Sequence, residues 1–140
     1  MVTDIPYEQI KIGEKASFSK TITQEDVSQF AELTGDFNPI HIDDEFASKS
    51  MFKKRIAHGM LTSSLISVVL GTKLPGANTL YLSQNLKFLA PCYIGDTLTA
   101  TVEVVDKKDD KNYSILKTIV TNQLGIDLVQ GEAVVKKIIA

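Results

Sequence analysis

From Gly59 to Thr72 the chain runs GMLTSSLISVVLGT without one charged residue. Met60, Leu61, Leu65, Ile66, Val68, Val69 and Leu70 cover most of a helical circumference, and the polar side chains between them are the small hydroxyls Thr62, Ser63, Ser64 and Ser67. A surface helix carries charge on its outer face. The helix expected here, roughly His58 to Leu70, must therefore be enclosed by protein on nearly all sides. Its most apolar stretch, Leu65 to Leu70, is far shorter than the ~20 residues a membrane span requires. The segment reads as the centre of a folded core, with the rest of the chain as its cover.

The candidate cover follows at once. After the breaker run Leu74-Pro75-Gly76-Ala77-Asn78, apolar and polar residues alternate with period two in Leu80 to Phe88, Thr97 to Val105, Asn112 to Val120 and Asp127 to Ile138. In the second of these, Leu98, Ala100, Val102 and Val104 share one face, opposite Thr97, Thr99, Thr101 and Glu103. Lys107 to Lys111 and Asn122 to Gly125 read as hairpin loops, so the strands are expected to form an antiparallel meander over the helix. Upstream, Ala16 to Ile22 is a further strand. Thr23 is a good N-cap for a helix that Gly35 ends, and Asp43 caps a short helix through Phe46 and Ala47. A sheet wrapped around one long central helix is the hot dog arrangement, an α+β class, although other α+β topologies fit the same pattern.

Composition narrows the function. All 140 residues are expected to form a single domain, and 44% hydrophobic with 23% charged residues is ordinary globular usage. Fifteen basic and seventeen acidic residues lie scattered along the chain, which argues against a broad nucleic-acid surface. Asp4 and Glu8 interrupt the first residues, where no apolar targeting segment is visible, so a cytoplasmic setting with no membrane association is expected. One cysteine, Cys92, allows no internal disulfide. With only two histidines, the usual structural zinc site would need carboxylates to complete it, and no metal is expected.

Both histidines fall beside backbone breaks, His41 in GDFNPIH at 35–41 and His58 in AHGM at 57–60. Pro39 stiffens the turn that separates Asp36 from His41, so carboxylate and imidazole can converge on one small volume, where the pair could hold a water and exchange protons with it. Ordinary turn chemistry would explain the same residues, Asn38 included. Gly59 opens the central helix, where free N–H groups and the helix dipole favour a developing negative oxygen, or else it relieves packing against the sheet. Ser67, seven residues beyond Met60, could look into a pocket or bond back to its own helix. Lys53, Lys54 and Arg55 read as solvated surface or as a contact for anionic ligand groups. No Walker, GxGxxG or GxSxG sequence is present.

GDFNPIHIDDEFA at 35–47 and IAHGM at 56–60 together resemble the (R)-specific enoyl-CoA hydratases of the MaoC-like hot dog superfamily, with weaker similarity through 74–76, 86–96 and 131–136. The likeness is nearest to the short bacterial members that supply hydroxyacyl monomers for polyhydroxyalkanoate synthesis. It implies that Asp36 and His41 activate the water added to a trans-2-enoyl thioester and that Asn38 and Pro39 shape their turn. It also implies that the Gly59 N–H polarises the thioester carbonyl and that Ser67 contacts the active-site network. Expected with it are an acyl-CoA substrate, no cofactor and a homodimer. Thioesterase, acyl-carrier-protein dehydratase and inactive acyl-CoA-binding sensor remain the competing readings on this scaffold.

Overall fold

The computed structural model describes residues 1–138. Five strands form one antiparallel sheet: β1 (Lys15–Thr21), β2 (Thr79–Phe88), β3 (Thr97–Lys108), β4 (Tyr113–Thr121) and β5 (Asp127–Lys137), in the spatial order β1-β3-β4-β5-β2. Three short helices precede the long one: α1 (Gln24–Thr34), α2 (Pro39–Ile42), α3 (Asp44–Ser48) and α4 (Gly59–Thr72). None is long and apolar enough to cross a membrane.

α4 lies against the concave face of the sheet. Its Leu65, Ile66, Val69 and Leu70 join Leu98, Ala100, Val102 and Val104 of β3, Leu116 and Val120 of β4, and Val129, Ala133 and Val135 of β5 in one buried cluster. Each fully buried Leu, Ile or Val contributes roughly 1.5–3 kcal/mol relative to exposure, so this seam holds the fold together. The alternation expected for β3 is seen residue by residue, with its four apolar side chains fully buried. This is the hot dog arrangement.

Local signals explain the helix ends. Thr23 accepts from the Asp26 amide while Asp26 accepts from the Thr23 amide, a reciprocal capping box. Gly35 closes α1 at φ 85°, a left-handed conformation that most residues avoid. Asp43 caps α3 through the Phe46 amide.

Three expectations need correction. β3, β4 and β5 form a meander, but β2 lies on the far edge beside β5. The Leu89–Asp96 connection is no hairpin: Cys92 accepts from the Ala57 amide and Tyr93 bridges to Ile56, so the chain is led away under the sheet. Pro39 does more than stiffen a turn. Lacking an amide, it suits the first turn, and Asn38 caps the single turn α2 through the Ile40 amide. Finally, α4 is not enclosed all round. Met60 is 60% exposed, and Ser64 and Ser67, four and seven residues on, continue its bare stripe.

Gly131 of β5 stands between Leu86 of β2 and Thr118 of β4. A Cβ there would lie 1.9 Å from the Asn85 carbonyl oxygen and 2.9 Å from Gln84 Nε2, which crosses this gap to donate to Thr118 Oγ1. Gly131→Ala is expected to destabilise the protein by about 1–3 kcal/mol, the usual cost of overpacking, measured by urea unfolding.

Candidate active site

The Asp36–His41 turn is built from three local devices. Gly35 turns the chain out of α1. The Asp36 amide then donates to Thr34 Oγ1, and Asp36 Oδ1 accepts from the Asn38 amide at 3.2 Å. Asn38 in turn starts α2, which carries His41 one turn later. His41 is buried, and its Nδ1 donates to the Ile56 carbonyl at 2.7 Å. Because a carbonyl can only accept, Nδ1 holds the proton and Nε2 keeps its lone pair, the form that can take a proton.

His58 comes to the same place from α4. Its ring lies 3.9 Å from the His41 ring, centroid to centroid, and its Nε2 donates to the Asp36 carbonyl at 2.9 Å. Phe30 of α1 packs on it from another side, at 4.8 Å. One ligand-capable atom each of Asp36, His41 and His58 lies within 4.8 Å of the others.

The three residues border a cavity of about 570 Å³ that also reaches Gly59, Thr62 and Phe88. Gly59 begins α4, so its N–H belongs to the helical turn whose amides have no partner further back in the helix. A Cβ at this position would lie 2.7 Å from the Phe88 ring, so the missing side chain also lets that ring close down on the helix start.

Burial is the main influence on His41 and pulls its pKa below the ordinary 6.5. Its bond to the Ile56 carbonyl acts upward, His58 downward and the Asp36 charge upward. Neutral His41 is favoured near pH 7. Cys92 also borders the cavity, but burial and the Asp96 charge push its thiol up to about 12, which leaves it inert as a nucleophile.

Other expected site residues lie elsewhere. Ser67 opens on a second cavity of about 390 Å³ between α4 and β2, bordered by Tyr81 and Gln84, and within one chain it is not brought to Asp36 and His41. Of the basic run, Arg55 Nε pairs with Asp44 at 2.8 Å and Lys54 Nζ sits 5.5 Å from the centre of the Tyr93 ring. With Lys53, which adopts φ 66°, they border a third cavity. It adjoins the large one, because Tyr93 of the basic cavity donates its hydroxyl to the carbonyl of Phe52, which borders the large one. Sequence reasoning assigned nothing to His58 beyond its place beside a break, and Phe88 was legible only as one more strand residue.

These features define a class. The MaoC like domain matches residues 8–124, and the chain belongs to that family. It is 46% identical to the (R)-specific enoyl-CoA hydratase of Rhodospirillum rubrum over 92% of this chain and 89% of that one. Among solved structures, the unliganded R-hydratase of Pseudomonas aeruginosa superposes with a TM-score of 0.92 at 43% identity, covering 97% of this chain and 87% of that one. An (R)-hydratase of Aeromonas caviae involved in PHA biosynthesis superposes at 0.90 with 44% identity, over 92% of this chain and 98% of that one.

In a proton NMR titration His41 is expected to show a midpoint below 6.5. Asp36→Asn removes the carboxylate that holds this value up, so the midpoint should fall further.

Proposed function

We propose that this protein adds water to trans-2-enoyl-CoA thioesters, reversibly, to give (R)-3-hydroxyacyl-CoA. The observation that carries this reading is the meeting of Asp36 and His41 with the start of α4 at one largely apolar cavity. The water oxygen adds at C3, its proton passes to the carboxylate–imidazole pair, and a proton is delivered to C2. Electrons displaced from the double bond reach the thioester oxygen, where the Gly59 N–H and the positive end of α4 stabilise them. Asp36 is the principal base in this scheme, and His41, neutral at working pH, orients the water and shares the proton. Asn38 and Pro39 keep the pair in register. No residue of the scheme requires a cofactor. The (R) outcome rests on similarity to the relatives named above.

Lys53 and Lys54, beside the cavity mouth, are proposed to meet the phosphates of CoA, with Tyr93 offering an aromatic face. An acyl-CoA substrate and a single unpaired, buried cysteine both suit the cytoplasm.

The working particle is proposed to be a homodimer. The outer edge of β2 exposes Leu80, Tyr81 and Leu82 beside the bare stripe of α4, and an open apolar strand edge needs a cover. A second copy, meeting like with like, supplies one. Ser67 borders this surface, so a part for it in the reaction would come through the pairing.

Hydration of crotonyl-CoA, followed as loss of enoyl thioester absorbance, is the decisive assay. Asp36→Asn and His41→Ala should each lower kcat by about a hundredfold or more, the scale of general acid–base catalysis, with the fold intact. Near-normal turnover in both would sink the assignment, and release of free CoA would favour a thioesterase. In the same assay, joint replacement of Lys53 and Lys54 by Ala should raise KM severalfold for crotonyl-CoA but leave crotonyl-pantetheine unchanged. Sedimentation should give about twice the 15.4 kDa chain mass, and Leu82→Lys should halve it. A fully active wild-type monomer would overturn the dimer.

A further inference from the structure

His58 touches every part of the proposed centre. Its Nε2–H holds the Asp36 carbonyl at 2.9 Å, its ring lies against the His41 ring at 3.9 Å, and its own carbonyl is bonded to the nitrogen of Gly59. It is only 2% exposed, and its Nδ1 is enclosed without a hydrogen-bond partner. An unpaired polar atom in a dry site lowers stability. A phenylalanine would fill the same volume beside Phe30 without that cost, so packing alone does not account for an imidazole here.

The chemistry to be coordinated has two ends. Asp36 and His41 act on water at C3, whereas Gly59 acts on the thioester oxygen. The two ends arrive on separate segments, the α1–α2 turn and the start of α4, 23 residues apart between Asp36 and Gly59. A backbone-only link between these segments runs from the Ile56 amide to the Ile40 carbonyl, at 3.3 Å. The His58 side chain is the link that reaches Asp36 itself.

We infer that His58 is a positioning residue: by bonding the Asp36 carbonyl and stacking on His41, it fixes the water-activating pair relative to the Gly59 N–H. This rests on the hydratase reading and adds to it a group that acts through Asp36 and His41. A displacement of about 1 Å in such a site can lower the rate about a hundredfold, so a single side chain spanning both ends has leverage on kcat.

Three variants separate anchoring from bulk. His58→Phe keeps the ring and loses the donor. His58→Gln restores an N–H at the reach of Nε2. His58→Asn places its amide where Nδ1 stands, too short for the Asp36 carbonyl, while remaining a good helix cap. With crotonyl-CoA, His58→Phe is expected to lower kcat about ten- to hundredfold with KM nearly unchanged. His58→Gln should recover most of that loss, and His58→Asn should not, although its melting temperature stays near wild type. A wild-type kcat in His58→Phe overturns the inference. So does a His58→Gln no better than His58→Asn, a comparison that decides the matter even if His58→Phe does not fold. Loss of the fold in all three would make the role structural and overturn it as well. An inactive wild type would instead refute the hydratase reading, which keeps the two failures distinct.

Discussion

A helix without charge has no stable place in water, and α4 is such a helix. Its buried face needs a surface about as wide as the helix is long, and a curved antiparallel sheet supplies one when small and branched residues such as Ala100, Val102, Ala133 and Val135 line its inner side. The sheet's curvature, the apolar alternation of β3 and the break at residues 74–78 all answer to that requirement. So does the site. Once α4 is packed along its length, its first turn is held at one end of the sheet, and whatever its amides face there is held with it.

The neighbours of that first turn set the state of the imidazole that is proposed to share the proton. His41 is buried, so its charged form is disfavoured, while the exposed Asp36 beside it opposes that tendency. The balance leaves an imidazole that is neutral near pH 7 yet lies close to a charge that welcomes a proton. The hydrogen bond to Ile56 completes the arrangement by assigning the tautomer. None of this depends on a long-range field. It depends on burial, on a neighbouring carboxylate and on a main-chain carbonyl facing the right nitrogen.

Much of this was legible in advance, and the residues show why. Thr23, Gly35 and Asp43 act through neighbours three or four positions away, so sequence alone reveals them. Asp36 and His41 are brought together by one proline-stiffened turn, which is again local. The edge position of β2 was not legible. It is decided by where the Leu89–Asp96 connection finds backbone partners, and these lie far off in sequence, at residues 22, 56–57 and 128. The exposed stripe of α4 was not legible for a related reason: hydropathy reports that a helix is apolar and cannot report which of its faces the sheet leaves uncovered. Ser67 inherits that ambiguity. The place of His58 was hidden because its partners at 30, 36 and 41 come from another helix and another turn.

Phe88 gives the cavity a further property. Its ring rests over Gly59 from the end of β2, and Val129 stands nearby on β5. The walls that an acyl chain would touch come in part from Phe52, Ile56 and Met60, near the groups that would handle protons, and in part from residues 88–92 and Val129, which lie far from them in sequence. Part of the shape is thus carried by a stretch that supplies none of the proposed reactive groups. In descendants of such a chain, residues 88–92 and Val129 can drift to admit longer or bulkier acyl groups without disturbing the turn proposed to handle protons. One scaffold can thereby diversify its diet while keeping its reaction.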